Sequence, residues 1–473
     1  MYTDFENSDK EQEEMVSPAP QEYAALVREA LEFSFPLVVT RTKITDELPK
    51  PNLFNLVHII TGMRRSGKTF YVFQMIHELL KAGVARDRVF YFNFADERLA
   101  PAPSTLLNDV VEEYWRQVPT TRSEGSYLFL DEVQEADGWQ GFCQRIAEHE
   151  RVTLVITGST SKMSADEIAS TFRGRSLECR MFPLSFREFC GFQDVDIPTS
   201  EELREHGAVS PQLRTQLEAL FDRFLLEGGF PGVQRLAPGA RISMLQSYMR
   251  DVVARDVVDR YPRVGISLAT QVALFCLRNT GCDLSVNRLV DGLRAAGYRT
   301  SWETINETVR LFEQAHLIKL LPEFSVSLAP DSTAAPKVYA ADAGLAYAVS
   351  RANQQDVGKR LETAVFIELL RRTSGRRIET ITSFTVPSSR REKIDFLVGD
   401  SLASEPYALY QVTDDMSAEK TRVREIGSLS AAIKATRVDG GTVITLREEG
   451  DVETQEGHIK IIPAWKWMLL GSA

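Results

Sequence analysis

The sequence is poor in cysteine and histidine and has no long apolar run. Five of its 473 residues are cysteine and six are histidine. The cysteines, at positions 143, 179, 190, 276 and 282, are odd in number and scattered along the chain. This pattern argues against a disulfide framework or a zinc site and favours buried thiols in a reducing compartment. Because no stretch approaches the ~20 apolar residues of a membrane-spanning helix, we expect a cytoplasmic protein without a membrane segment.

The sequence also lacks an excess of basic residues. Lysine and arginine number 55 against 66 aspartate and glutamate, so the formal net charge is −11. This balance argues against non-specific binding of nucleic acid by the whole molecule. A local basic face is not excluded, because basic residues cluster at 64–65, 371–377 and 390–393. Residues 1–20 are acidic and resemble neither a signal nor a transit peptide, so they are predicted to form a disordered acidic tail.

The chain is too long for a single hydrophobic core, and its pattern changes along its length. From residue 56 to 157, apolar strands alternate with helices, which is typical of a parallel sheet with helices on both faces. Residues 162–262 have a mostly helical pattern. Residues 263–350 follow the order helix, helix, helix, hairpin, which is typical of a winged helix. Residues 351–473 have the pattern of a mixed α/β module.

A glycine-rich loop after the first strand is the most informative motif. Residues 62–69 read G-x-x-x-x-G-K-T and stand between an apolar run and a helical pattern. Glycines at both ends let the loop direct backbone N–H groups at phosphate oxygens, and Lys68 can reach the β- and γ-phosphates. The alternative is a glycine-rich surface turn. The predicted nucleotide-binding residues are Gly62, Arg64, Arg65, Ser66, Gly67, Lys68 and Thr69.

Two carboxylates end the third apolar strand. Asp131 and Glu132 follow the run at 126–130, and carboxylates at the carboxyl end of a parallel strand face the same crevice as the glycine loop. Asp131 and the Thr69 hydroxyl are predicted to hold Mg²⁺, and Glu132 to polarise the attacking water. Lys68 is predicted to assist catalysis on the phosphates. The alternative for the acidic pair is a helix-start cap.

Further candidate catalytic residues follow the fourth strand. Ser159 is placed to orient water or to sense loss of phosphate, and its alternative is a simple turn and helix cap. Arg173 and Arg175 come next and are suited to stabilising the charge of a transferred phosphate. They are predicted to act either within one subunit or across the boundary of a homo-oligomer. Surface charges are the alternative.

Together, these motifs resemble those of prokaryotic archaeal-type, AAA-like P-loop ATPases that carry a C-terminal domain of unknown function. The resemblance covers roughly residues 50–465 and rests on the segments 61–69, 130–134 with Trp139, 156–159, 173–175 and 182–189. It implies an AAA-like ATPase domain with a helical lid over 21–262, a winged helix over 263–350 and a nuclease-like fold over 351–473. ATP is expected from the resemblance, and because no N-K-x-D guanine-reading motif follows the acidic pair.

The last part of the chain is similar to the PD-(D/E)XK nuclease arrangement, in which carboxylates hold Mg²⁺ and a lysine activates water. The residues at the matching metal positions are Glu362, Asp395 and Gln411. Gln411 replaces an acid and Thr413 replaces the lysine, for which Lys420 and Lys393 are candidate substitutes. Three interpretations remain open: an active nuclease, a degenerate fold that binds nucleic acid or protein, and structural similarity alone.

The candidate recognition helix of the winged-helix segment favours DNA contact only weakly. Glu303 and Glu307 stand against Arg310, which is poor chemistry for lying along phosphates, so domain packing is an equal alternative. The leading hypothesis for the whole chain is a Mg²⁺-dependent, ATP-hydrolysing switch or motor that acts on or near DNA. The alternatives are a nucleotide-gated nuclease and a non-hydrolysing signalling scaffold that ATP latches.

Overall fold

The computed structural model describes residues 20–158, 163, 171, 172, 174–206, 209–324, 335–350, 355–375, 380–387, 392–400 and 403–471. Three sequence predictions lie outside these residues: the acidic tail apart from its last residue, Ser159 and Arg173. Within the described part of the chain, no helix is long and apolar enough to cross a membrane.

The first module is built on a five-stranded parallel sheet. Its strands are β1 (Val57–Thr61), β2 (Val89–Asn93), β3 (Ser126–Asp131), β4 (Val152–Thr157) and β5 (Ser176–Arg180), in the order β2-β3-β4-β1-β5. Strands β1, β3 and β4 are buried along their whole length, because helices cover both faces of the sheet. The predicted P-loop type of α/β fold is confirmed.

Five helices of this module surround the sheet or connect its strands: α1 (Pro20–Glu32), α2 (Lys68–Lys81), α3 (Leu106–Gln117), α4 (Thr120–Glu124) and α5 (Trp139–His149). Helices α1, α3 and α5 share one apolar cluster with alternate strand residues such as Ile59 and Leu128. Helix α2 packs on the opposite face with Ile60 and Phe129. This alternation follows from the two-residue period of a strand.

Strand β5 differs from the sequence-based expectation that residues 162–262 are mostly helical. Its sequence, Ser-Leu-Glu-Cys-Arg, is partly exposed because the strand lies at the outer edge of the sheet beside β1. It therefore lacks the apolar run that marked the central strands. The helices that follow are α6 (Phe186–Phe192), α7 (Ser200–His206), α8 (Pro211–Glu227) and α9 (Pro238–Asp251), which continues into a π-helical turn, Val252–Val258.

The second module has the predicted order of three helices and a hairpin. It comprises α10 (Ile266–Arg278), β6 (Cys282–Asp283), α11 (Val286–Ala295), α12 (Trp302–Gln314), β7 (Ile318–Leu321) and β8 (Lys337–Ala340). The three strands pair antiparallel in the order β6-β8-β7. Ser301 caps α12, because its side chain accepts a hydrogen bond from Thr304 N at 3.2 Å.

The third module is the predicted mixed α/β unit. A helix, α13 (Ala343–Val349), precedes it at the end of the second module. The elements of the third module are α14 (Val357–Thr373), β9 (Thr380–Thr385), β10 (Lys393–Asp400), β11 (Glu405–Val412), α15 (Glu419–Thr436), β12 (Gly440–Thr445), β13 (Gly450–Glu453), β14 (His458–Pro463) and α16 (Ala464–Leu470). The sheet order is β13-β14-β12-β11-β10-β9. One apolar cluster joins this module to the others through Phe221, Tyr339, Phe366 and Trp465.

Candidate nucleotide site

The loop between β1 and α2 requires glycine at two positions. Gly62 has a φ of 147°, and a Cβ atom there would lie 2.3 Å from the carbonyl oxygen of Met181. Gly67 has a φ of 102° and caps helix α2. Both backbone conformations disfavour any other residue, so the motif's glycines allow the loop to turn back over the end of β1. The start of α2 consequently points at the same space as the loop.

Lys68 lies inside this loop with its side chain largely buried. The residue is 5% exposed, and its Nζ donates to the carbonyl oxygens of Gly62 at 3.1 Å and Met63 at 3.3 Å. Burial lowers the pKa of Lys68, although the nearby Glu132 and Asp131 carboxylates oppose this effect. A buried ammonium whose hydrogen bonds go to carbonyl oxygens is well prepared to exchange them for the oxygens of a phosphate.

Asp131, at the end of β3, is the centre of a hydrogen-bonded network. Its Oδ2 accepts from the Thr69 hydroxyl at 2.8 Å and from the Tyr91 hydroxyl at 2.9 Å. Its Oδ1 accepts from the Thr157 hydroxyl at the end of β4. Burial raises the pKa of Asp131 in spite of these donors. The predicted pair of Thr69 and Asp131 is therefore brought into direct contact.

Glu132 occupies a left-handed backbone conformation with a φ of 51°, which is uncommon for a residue other than glycine. Its backbone N–H donates to the Thr157 hydroxyl at 3.2 Å. One oxygen of its carboxylate, Oε2, accepts a hydrogen bond from the side-chain amide of Gln134. These contacts turn Glu132 away from the line of β3 and into the cavity beside the glycine loop.

The two loop arginines contact the helical segment that follows the sheet. Arg64 forms an ion pair with Asp256 of the π-helical turn, with Nε and Oδ2 2.9 Å apart, and Asp256 is almost fully buried. Arg65 lies with its guanidinium carbon 6.0 Å from the ring centre of Tyr248. The glycine loop is thus attached to α9 and its π-helical turn by one buried ion pair and one cation–π contact.

Arg41 fastens the loop from the other side. Its Nη1 donates to the carbonyl oxygen of Ser66 at 3.1 Å, and its Nε pairs with Glu188 at 2.9 Å. Glu188 also closes a capping box with Ser185 at the start of α6. Burial alone would raise the pKa of Glu188, but Arg41 lowers it to about 2. The Phe-Pro-Leu-Ser segment that precedes α6 ends in the cap residue Ser185, which helps to place Glu188 beside Arg41.

A cavity of about 670 Å³ opens beside these residues. Its wall includes the loop at 64–65 and 67–70, Glu132, the extended segment 37–39, Pro231 and Tyr248. The volume falls within the ~300–1,000 Å³ typical of small-molecule sites. The lining combines apolar side chains such as Leu37 and Val39 with the charged groups of the loop, so the cavity can accommodate an aromatic base together with an anionic chain.

Arg175 lies at the amino-terminal end of β1, whereas the glycine loop follows the carboxyl-terminal end of the same strand. It stands immediately before β5, and its carbonyl oxygen accepts from Val57 N at 3.0 Å, at the start of β1. Its half-exposed guanidinium pairs with Glu148. Because the loop follows the other end of β1, Arg175 cannot reach the nucleotide site of its own chain. Two interpretations of Arg175 remain: a role across a subunit boundary, and a surface charge paired with Glu148.

Sequence reasoning missed several residues that shape the site. They are Arg41, Tyr91 and Asp256, while Gln134 and Thr157 belong to the quoted motifs 130–134 and 156–159 but were given no role. Tyr91 had a detectable signal, since it is the one hydroxyl group in the apolar part of β2. Arg41 and Asp256 had none, because they meet the loop across 25 and 192 positions of sequence.

The predicted nuclease-like residues also come together, around an unexpected lysine. Lys337 on β8 places its Nζ 3.0 Å from Glu362 Oε1 and 3.1 Å from Asp395 Oδ1. The Tyr339 hydroxyl donates to the same Glu362 oxygen. Burial and the Asp395 carboxylate raise the pKa of Glu362 to about 7. Although burial opposes it, the two carboxylates raise the pKa of Lys337 above its ordinary value.

Further hydrogen bonds engage Asp395 and Gln411 of this cluster. Asp395 Oδ2 accepts from Val412 N at 3.0 Å, and Gln411 Oε1 accepts from Asp395 N at 3.3 Å. The Gln411 amide donates to Glu425 at 2.8 Å. Among the described residues, no group of three or more His, Cys, Asp or Glu side chains is arranged to hold a metal ion.

The two lysines expected to replace the missing one are positioned differently from Lys337. Lys393 is half-exposed and lies 3.7 Å from Asp283 Oδ2, so it is not the lysine that contacts the carboxylates. Lys420 stands in the first turn of α15. The Thr413 hydroxyl donates to the Asp415 carbonyl oxygen at 3.4 Å. Lysine thus reaches the cluster from the second module and not from the third.

Replacing Lys337 with methionine is expected to destabilise the protein in a pH-dependent way. The variant leaves Glu362 and Asp395 buried side by side, and breaking a buried ion pair costs ~3–5 kcal/mol. A carboxyl group whose folded-state pKa is raised contributes stability that is lost as pH rises through that pKa. Since the pKa of Glu362 is about 7 in the parent and rises without Lys337, the loss should be large at pH 8.5 and small near pH 5.

Urea unfolding at the two pH values measures this effect. The double variant Lys337→Met/Glu362→Gln should recover most of the lost stability at pH 8.5, because it removes one of the two uncompensated charges. Lys434→Met serves as the control, since Lys434 is largely exposed and its closest carboxylate contact is 4.0 Å. An equal loss at pH 5 and pH 8.5 contradicts the assigned ion pair.

Two family models match parts of the chain. A family model described as an AAA domain matches residues 55–190, and one described as a domain of unknown function (DUF8612) matches residues 218–356. The first match includes the glycine loop, the acidic pair and the whole parallel sheet. This part of the chain therefore has a P-loop fold and is similar to an AAA domain.

Two curated relatives match most of the chain. An uncharacterized protein of Methanocaldococcus jannaschii is 29% identical over 422 residues, which cover 88% of each chain. An uncharacterized protein of Haemophilus influenzae is 25% identical over 408 residues, which cover 86% of this chain and 97% of the relative.

Two solved structures are similar over about two thirds of the chain. The Walker-type ATPase of Pyrococcus abyssi is 13% identical, covers 70% of this chain and 95% of its own, and has a TM-score of 0.37. The Orc1 protein of Aeropyrum pernix, solved in complex with DNA, is 15% identical, covers 71% and 91%, and has a TM-score of 0.28.

Proposed function

We propose that this chain binds ATP in the cavity beside the glycine loop and hydrolyses it with Mg²⁺ as a switch or motor. The observation that carries the proposal is the meeting of three groups at one wall of the fold. The buried Lys68 ammonium, the contacting Thr69 and Asp131 oxygens and the Glu132 carboxylate all lie at the carboxyl ends of β1 and β3. Open parallel sheets bind ligands at this edge.

The residues present fit a magnesium ion. The Thr69 hydroxyl and the Asp131 carboxylate are hard oxygen donors, which Mg²⁺ prefers, and they are already in contact. They would hold the ion, which neutralises phosphate charge when it is bound with ATP. Tyr91 and Thr157 fix the Asp131 carboxylate, and this keeps the acceptor pre-oriented.

Each remaining residue of the site has a distinct task in this proposal. Lys68 binds the β- and γ-phosphates, and the loop at 62–69 donates its N–H groups to them. Glu132 accepts the hydrogen bond of the attacking water and polarises it. Ser159 responds to the γ-phosphate. Arg173 and Arg175 belong to the same proposal as charge-stabilising residues, with Arg175 acting on a neighbouring subunit of a homo-oligomer.

Hydrolysis in this proposal repositions the two modules beyond the sheet, on or near DNA. The proposed boundaries are 21–262 for the ATPase domain, 263–350 for a winged helix and 351–473 for a nuclease-like fold. The Arg64–Asp256 pair supports a route for the movement, because it ties the phosphate loop to the segment that leads into the second module. The helix order of that module supports DNA as the partner.

We infer a binding or structural role for the third module instead of cleavage. Lys337 already neutralises the Glu362 and Asp395 carboxylates, and the backbone N–H of Val412 engages the second oxygen of Asp395. A metal-dependent nuclease needs those same oxygens for its ion.

ATP turnover measured with and without Mg²⁺, and with single- or double-stranded DNA, tests the proposal. We expect phosphate release that requires Mg²⁺, stops with EDTA and changes several-fold with one form of DNA. The DNA recovered from the same reactions should be intact. Absence of Mg²⁺-dependent turnover under every condition would rule out the hydrolytic function, and cleavage that is lost in Asp395→Ala would overturn the role inferred for the third module.

A further inference from the structure

Gln134 is buried directly beside the carboxylate assigned to water activation. It is 6% exposed and lies in the short turn Val133–Glu135 that follows β3. Its side-chain Nε2 donates to Glu132 Oε2. The turn itself is held by backbone hydrogen bonds such as that from Glu135 N to Glu132 O. The fold of the turn therefore does not require the buried Gln134 amide.

The end of β4 supports Gln134 from behind. A Cβ atom at Gly158 would lie 2.2 Å from Gln134 Oε1, so only glycine leaves room for the amide. Gly158 N also donates to the Ile60 carbonyl oxygen at 3.4 Å, which ties this position to β1 just before the glycine loop. The Gln134 side chain is therefore held between the Glu132 carboxylate and Gly158, which directly follows β4.

Thr157, the residue before Gly158, holds Glu132 at a second point. Its hydroxyl accepts from Glu132 N at 3.2 Å and donates to Asp131. The backbone of Glu132 is thus fixed by Thr157, and its carboxylate by Gln134. Glu132 has a left-handed backbone conformation, so it is part of neither a strand nor a helix. The regular geometry of those elements therefore does not set the direction of its side chain. The amide supplies that orientation.

We propose that Gln134 is a positioning residue for ATP hydrolysis, which holds the Glu132 carboxylate with Oε1 directed at the attacking water. The inference rests on the proposed function. The amide engages Oε2 and leaves Oε1 as the acceptor for water, and it also hinders rotation of the carboxylate out of the cavity. A displacement of ~1 Å in such a group reduces turnover by about 100-fold.

Gln134→Met tests the proposal, because methionine has a similar length and no amide donor. We expect kcat to fall by ~10- to 100-fold while the Kd for a non-hydrolysable ATP analogue stays within about twofold of the parent. Gln134→Glu, which replaces the donor by a second carboxylate, should lower kcat at least as much. Gln144→Met is the matched control, since it removes an amide contact to Glu148 on α5, outside the cavity.

A double-variant cycle separates positioning from a general effect on the fold. If Gln134 acts through Glu132, then Gln134→Met should change the residual single-turnover rate by less than about twofold in a Glu132→Gln background. A full effect in that background overturns the proposal, as does parent-like kcat in both single variants. If Gln134→Met fails to fold, Gln134→Glu decides by the same measurements. A parent without ATP turnover refutes the proposed function itself, and this inference with it.

Discussion

Lys68→Met is expected to abolish ATP binding and turnover while leaving the protein at least as stable as the parent. The Lys68 ammonium is buried and contacts carbonyl oxygens of its own loop. Burying a charge is unfavourable, and burial lowers the pKa of this lysine in spite of the nearby Glu132 and Asp131 carboxylates. Methionine fills a similar volume without charge. The midpoint of thermal unfolding should therefore stay constant or rise.

The loss of ATP affinity follows from the number of contacts that disappear. Hydrogen bonds to charged groups contribute about 1.5–3 kcal/mol each, and the lysine is proposed to contact two phosphates. A loss of ~3–6 kcal/mol corresponds to a ~100-fold or larger increase in Kd. Titration with a fluorescent ATP analogue measures it. Lys81→Met, an exposed lysine at the other end of the same helix, is the control. Unchanged affinity in Lys68→Met would place the phosphates elsewhere.

Glu132→Gln should have the opposite profile, with ATP retained and turnover lost. Glutamine keeps the size of the side chain and can still meet Gln134, but it is too weak a base to polarise water. Positioned acid–base groups contribute ~10²- to 10⁴-fold to rate, and a reduction of this size is expected. Phosphate release and the amount of ATP that co-purifies with the variant measure the two effects. Glu124→Gln, an exposed carboxylate before β3, is the control.

This variant also distinguishes the hydrolysing switch from the ATP-latched scaffold. A scaffold gives the same slow or absent phosphate release in parent and variant. A switch gives turnover in the parent alone. Phosphate release that is equal in both proteins would remove Glu132 from its assigned role.

The parts of the fold that were predictable are those in which local pattern and burial agree. Strands β1, β3 and β4 are apolar throughout because both faces are covered, so their sequences identified them. Strand β5 lies at an edge and has a polar sequence, so nothing local distinguished it from a helix or loop. The glycine loop and the acidic pair were likewise visible, because their chemistry depends on short spacings.

Long-range partners were beyond sequence reasoning in this chain. Asp256 meets Arg64 because the π-helical turn packs against the glycine loop. Arg41 meets Glu188 because the chain before β1 packs against α6. In the third module, the convergence of Glu362 and Asp395 was expected, but the lysine was sought on the neighbouring elements of that module. Lys337 reaches them because the β7–β8 hairpin lies against helix α14, and that placement depends on tertiary packing.

Tyr339 in β8 limits how this chain can be divided or recombined. The Tyr339 ring lies 4.3 Å from that of Phe366, and its hydroxyl bonds to Glu362. A fragment ending near residue 350 would carry this aromatic ring and Lys337 without their partners. The remaining fragment would expose the ring of Phe366 and two carboxylates without a counter-ion. A genetic exchange that brought in a foreign carboxyl-terminal part would meet the same mismatch, so the hairpin and the module it contacts are suited to being inherited together.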